Sequence, residues 1–357
     1  MFDLSFRRHI LARSRCLINC ATILSLTLAA NAYPHGVTFK YQDSEPANSA
    51  FSTRFLQPWA NKLHEDSRGR INLLIAPQDA ASANTDLFGA VMERNADIVW
   101  LNLQSPAATH PRFMVFETAL EGATSEGSSQ ALWSWTDMND LAFREFKEMR
   151  ILAAVRHDAP LFHMRENVLS SLSDLKGAKI AIPTSGAETF LRKLGASPLV
   201  VPEADIPEAL AQYRADGVLL SWSSFVTLDL GTLLKTHSEA PPGAPWPYAE
   251  LSVLLMNPEA YRGLADDLKQ TISANSGNDV SALIGKTMDE AARAARLQAS
   301  ERGDSINMLP ESDLGKWREA ATAAVHERIT SLDAMGLKGE KIISKARALI
   351  VEYDSAR

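Results

Sequence analysis

Cysteine is nearly missing from this chain: two in 357 residues, Cys16 and Cys20, both within the first 20 positions. No disulfide can brace the rest, so its fold must rest on apolar burial, which a chain of this length can supply. Long apolar runs are missing too. The run CLINCATILSLTLAA at 16–30 is about 15 residues, short of the roughly 20 that span a bilayer, and no other run approaches 18. The motifs GxSxG, HExxH, GxxxxGK[ST] and GxGxxG and the EF-hand loop do not occur, so neither a hydrolase elbow, a zincin helix nor a nucleotide cradle is indicated, and no cofactor or metal is expected. Positive charge is in deficit, with 36 Lys and Arg against 43 Asp and Glu. That balance disfavours nucleic acid and anionic membrane surfaces as partners.

What is present begins with an export signal. Arg7, Arg8, Arg13 and Arg15 precede the apolar run, and Ala30-Asn31-Ala32 places small residues at cleavage-site spacing, so residues 1–32 read as a secretory signal peptide cleaved after Ala32. Cleavage removes both cysteines. The exported protein is then expected in the periplasm, free of disulfides.

The exported part alternates strand and helix. Strands are expected at 37–41, 71–77 and 96–103, with helices at 49–66 and 85–93 between them, and this alternation predicts an α/β sheet with ligand chemistry at the strand ends. An extended segment starting at 151 opens a second unit: strands at 179–182 and 216–222, and a helix at 206–213. A proline-rich stretch, APPGAPWP at 240–247, leads into another apolar strand, and 258–302 is nearly all helix-forming. Two lobes result. Residues 33–154 with 248–290 form lobe I, and 155–247 with 291–357 form lobe II and the C-terminal helices.

Two weak catalytic patterns need weighing. Ser173-Asp174-Leu175-Lys176 matches S-x-x-K without its companion motifs, and a capped polar turn explains it. His157 and His163 are six apart on an extended segment, as two metal ligands on one strand face would be, yet Asp158 points to the opposite face from His157 and nothing completes a ligand set. The acidic pairs Asp266-Asp267 and Asp289-Glu290 lie in charged helical runs and read as solvated faces. The stretch DLKGAKIAIPTSGAETFLRKLGA at 174–196 feeds a strand into a Ser/Gly turn and a helix, the shape of an anion cradle.

That stretch carries a resemblance. DLKGAKIAIP followed by LGASPLVVPEADIPEALAQYRADG resembles the signature of solute receptors of tripartite ATP-independent periplasmic (TRAP) transporters, the DctP-type family. FLQPWANKLHEDSRGRINLLIAP, ADIVWLNL and LLMNPEAYRGLADDLKQTISANSG continue it in order along the chain. The resemblance implies a two-lobed α/β periplasmic binding protein with hinge strands and a long bracing helix. It implies a small organic acid closed between the lobes and delivered to membrane permease subunits, without catalysis. Where the family strand reads K-I-R-V-P, with an arginine that clamps the ligand carboxylate, this chain has Ala181. Arg156 falls near the family's second pocket arginine, with Arg165 its alternative. Asn102 and Gln42 match polar pocket positions, and Trp222 and Phe225 lie where some members face the cleft. These aromatics suit an aromatic or apolar-bodied acid. A ligand sensor feeding a membrane signalling receptor is the alternative of another class, and an exported enzyme using Ser173 or His157 the third.

Overall fold

The computed structural model describes residues 36–75, 86–103, 109–118 and 120–355; the expected signal peptide lies outside them. In chain order the elements are β1 (Val37–Gln42), α1 (Gln57–Asp66), β2 (Ile71–Ile75), α2 (Leu87–Met92), β3 (Ile98–Asn102), α3 (Ser125–Met138), α4 (Leu141–Arg144), β4 (Arg150–Arg156) and β5 (Pro160–Met164). Then come β6 (Lys179–Ile182), α5 (Glu188–Lys193), β7 (Ser197–Val200), α6 (Ile206–Ala211), β8 (Gly217–Ser221), α7 (Trp222–Thr227), β9 (Thr236–Glu239) and β10 (Leu251–Met256). The chain closes with α8 (Pro258–Arg262), α9 (Asp266–Ala274), α10 (Asn278–Glu301), β11 (Ser305–Met308), α11 (Leu314–Ala334) and α12 (Gly339–Ser355).

These strands form two sheets, one per lobe: β2-β1-β3-β10-β4 in lobe I and β11-β9-β5-β8-β6-β7 in lobe II. The segment expected to be one extended piece from 151 is divided between them. β4 ends in the first sheet and β5 starts in the second, so residues 157–159 are a crossing between lobes. The chain returns through 240–250 into β10, which runs antiparallel between β3 and β4. Both β4 and β10 are almost wholly buried apolar strands, as strands covered on two faces must be.

One core of lobe I packs Phe39, Phe55, Trp59, Trp100 and Leu254 against Ile284 of α10, and one core of lobe II packs Val218, Leu220 and Phe225 against Ala295 and Ala299 of the same helix. Each large side chain fully buried there contributes roughly 1.5–3 kcal/mol. The 24 residues of α10 therefore brace both lobes. The helical region expected at 258–302 is broken in two places, and Gly277, with φ at +94°, makes the second break because that backbone conformation favours glycine. The C-terminal helices divide: α11 packs on α5 of lobe II, while α12 lies along α3 of lobe I.

Candidate functional site

Where the crossing strands meet, both lobes wall a cavity of about 120 Å³ lined by Glu45, Phe51, Asn102, His157, Glu203, Ser223, Ser224 and Met288 among others. Its volume is that of roughly four waters. A larger groove of about 540 Å³, lined by Trp133, Arg150 and Tyr261, lies on lobe I alone, so lobe closure could not enclose a solute in it.

Asn102 ends β3 and donates through Nδ2 to Glu203 of lobe II at 3.1 Å, while its Oδ1 accepts from the Ser252 hydroxyl of β10. Ser252 Oγ lies 2.7 Å from His157 Nε2. Because the Ser252 proton is spent on Asn102, its oxygen accepts from His157, which fixes the Nε2–H tautomer. One directional chain thus runs from the crossing through lobe I to lobe II. His157 Nδ1 has no hydrogen-bond partner among the described residues and sits 3.8 Å from Glu250 Oε2.

Carboxyls dominate the surroundings. Burial, with Glu203 and Asp43 nearby, pushes Glu45 up to about 8. Burial likewise lifts Asp158 to about 7, although Ser223 donates to it, and raises Glu250 well above the carboxylate range, although Ser224 donates to it at 2.8 Å. Burial draws His157 down to about 4, leaving it neutral.

These shifts set a pH profile. A carboxyl with a raised folded pKa keeps a proton that the unfolded chain has lost. Its stabilising contribution is full below the ordinary value of 4.5 and drains as pH rises toward 8. Buried neutral histidines act the other way: His157 and His110, the latter also drawn to about 4 chiefly by burial, contribute above 6.5 and lose that contribution on acidification. Above pH 6.5 only the carboxyls act. Unfolding free energy should therefore fall by about 2 kcal/mol between pH 6.5 and 8 on account of Glu45. Thermal melts across that window would check this, with Glu45→Gln expected to flatten the slope; an equal slope in the variant would remove the assignment.

The other sequence-derived positions lie elsewhere. Arg156, fully buried, points away from the cavity and donates to the carbonyls of Phe116 (3.0 Å), Glu121 (3.3 Å) and Leu120 (3.4 Å) and to Ser128 Oγ (3.3 Å), with its guanidinium 4.3 Å above the Trp246 ring. Its donors are committed to holding one loop. Arg165 follows β5 at the end far from the crossing, donates to the Leu210 carbonyl and stacks on Tyr213 at 4.3 Å. Gln42 ends β1, half-buried and outside the cavity lining.

Trp222 and Phe225 require a correction of phase. Ser221 N-caps α7 by accepting from Ser224 N–H, and this turns positions 222 and 225 inward together, as an i, i+3 pair must. They pack on His163 at 4.8 and 4.5 Å between ring centroids, and it is Ser223 and Ser224 that reach the cavity. Ala181 explains the space. It pairs with Val218, which pairs with His163, which pairs with His237, so the four share one row of one sheet face, and the rings of Trp222 and Phe225 cover it. An arginine at 181 would enter that apolar layer.

The remaining motifs resolve simply. His157 lies in the crossing and His163 in strand β5 of lobe II; His163 Nδ1 meets His237 Nδ1 at 2.8 Å, and among the described residues no group of three or more metal-ligating side chains occurs. Ser173 lies in a turn whose capping box is Ser171 with Asp174. Asp289 is not solvated: it accepts from the backbone N–H of Ser125 (2.9 Å) and Glu126 (3.0 Å) and so caps α3. The PTSG turn is filled by the chain itself. A Cβ on Gly186 would lie 2.5 Å from Glu117 Cδ, and Glu117 is paired with Arg328 at 2.5 Å. Glu45, His157 and Glu203 were not expected in a pocket; the available signal was the pair of acids, Asp43 and Glu45, just past the end of β1.

The family model for bacterial extracellular solute-binding proteins, family 7 (DctP), matches residues 43–331. The chain belongs to this family. The receptor's fold superposes on a TRAP solute-binding protein from Rhodoferax ferrireducens holding copurified benzoate: 27% identity, TM-score 0.83, covering 90% of this chain and 99% of that one. It superposes equally on a marine metagenome TRAP solute-binding protein described as specific for aromatic acid ligands, crystallised with 3-hydroxybenzoate: 28% identity, TM-score 0.84, covering 90% and 99%. In sequence it is also similar to a Comamonas testosteroni protein named outer membrane transporter protein TsaT, 23% identical over 348 residues, covering 94% of this chain and 97% of that one. The receptor is thus a two-lobed TRAP solute-binding protein, a substrate-binding component of transport. Among the described residues no helix is long and apolar enough to cross a membrane.

Proposed function

We propose that the receptor captures a small organic acid with an aromatic or apolar body in the periplasm, after export and signal cleavage, and delivers it to the TRAP permease subunits. The cavity walled by both lobes carries this reading, because hinge closure would enclose a solute only there. Phe51, stacked on Trp100 at 4.3 Å, and Met288 supply its apolar side. The two aromatic-acid receptors at 27% and 28% identity support the solute class. The signalling alternative has no observation of its own.

Thermal unfolding of the mature protein with benzoate, 3-hydroxybenzoate and succinate tests the proposal. At one hundred times its Kd a true solute stabilises by about 2.7 kcal/mol, a shift of several degrees. A shift with succinate and none with either aromatic acid would sink it.

A further inference from the structure

Buried carboxyls elsewhere in the receptor come with a cation of their own: Glu117 with Arg328 at 2.5 Å, Glu145 with Arg112 at 3.3 Å, and Asp304 with Arg302 at 2.7 Å. An ionised carboxylate out of water is costly unless it is paired in this way. The interlobe cavity departs from the pattern. Glu45 and Glu203 line it from opposite lobes, while Asp158 and Glu250, on the two crossing segments, lie behind its Ser223 and Ser224. Among the described residues no lysine or arginine lines the cavity, and none pairs with Glu45, Asp158 or Glu250, whose donors are the neutral Trp100 indole, serine hydroxyls and Tyr248. His157, 3.8 Å from Glu250, is neutral as well. Nor do the internal stretches outside the described residues, 76–85, 104–108 and 119, contain lysine, arginine or histidine. With no cation at hand these carboxyls hold protons instead, Glu45 up to about 8. Beside Glu45 stands the Phe51 ring, stacked on Trp100, and an aromatic face attracts a cation.

We infer that the solute carries a cationic nitrogen, an ammonium, which enters this cavity beside Glu45 as the counter-ion that the lining lacks. The solute class is a zwitterionic acid, and Glu45 is the residue that selects it. This rests on the organic-acid reading above and narrows it. Capture is then an exchange: the ammonium enters, Glu45 ionises, and the proton that Glu45 held leaves to solvent. A solute without the positive charge leaves that proton in place and gains no ion pair.

Calorimetric titration of the mature protein with matched acids tests the inference: 3-(aminomethyl)benzoate against 3-(hydroxymethyl)benzoate, and phenylglycine against mandelate. Each hydroxyl partner keeps the donor and nearly the bulk and removes the charge. At least one ammonium acid should bind about tenfold or more tightly than its hydroxyl partner, and its apparent binding heats in phosphate and in Tris at pH 7 should differ as the release of about one proton requires. In Glu45→Gln, an isostere of the protonated acid, the ratio should shrink toward one and the proton release should vanish. Should the variant not fold, the wild-type pairs and their proton release still decide. Equal affinities within both pairs, a preference for the hydroxyl partners, or a ratio and proton release unchanged in Glu45→Gln overturn the inference; tight binding of the hydroxyl partners would then leave the organic-acid reading standing. If no aromatic compound binds, the aromatic reading fails separately, and alanine against lactate decides the charge requirement; no preference there overturns it as well.

Discussion

Arg156→Ala is expected to destabilise the receptor by about 3–5 kcal/mol. The guanidinium satisfies three backbone carbonyls and a hydroxyl and lies over Trp246, so truncation strands buried acceptors in a dry site and opens a void beneath the indole. Burial draws the group down to about 9, opposed by Asp354 and Glu121, so it stays cationic at neutral pH. Arg156→Lys should recover only part of the loss, because an ammonium cannot reproduce a planar fork reaching four acceptors. Chemical denaturation gives the measurement. A variant of wild-type stability that had lost solute affinity would return Arg156 to the role of ligand anchor given by the family resemblance.

The second large effect is expected at Gly285, where α10 crosses α3. A Cβ there would lie 2.6 Å from the Ser125 carbonyl oxygen and 2.8 Å from Glu126 Cα, both backbone atoms. Alanine normally gains about 1 kcal/mol over glycine inside a helix. Here the overlap cannot be relieved by a side-chain rotation, and pushing the helices apart should cost about 3 kcal/mol net. It would also weaken the cap that Asp289 places on α3. Gly315→Ala in α11 is the control, since among the described residues nothing lies within 4 Å of where its Cβ would stand, and it should be neutral or mildly stabilising. Equal melting temperatures for the two variants would refute the argument.

Much of the architecture was legible because it rests on local pattern. The βαβ alternation through residue 103, the apolar strand 179–182 and the capped turn at Ser171 each follow from residues close in sequence. The site was less so. Asn102, expected at the rim after β3, lines the candidate cavity. The choice of Trp222 and Phe225 over Ser223 and Ser224 turned on where α7 is capped, a shift of one residue that exchanges inside for outside. Arg156 and His157 are adjacent, yet on an extended crossing they face opposite ways, and only the tertiary structure tells which faces the cavity. Asp289 looked solvated because its partners, the N–H groups of Ser125 and Glu126, are more than 160 residues away.

The helix α10 has a thermodynamic consequence for capture. A rod of about 36 Å packed into the cores of both lobes permits few mutual orientations besides rotation about the crossing strands. A narrow range of openings means that little orientational freedom remains to be surrendered when the cleft shuts on a solute. More of each contact's free energy is then left as affinity.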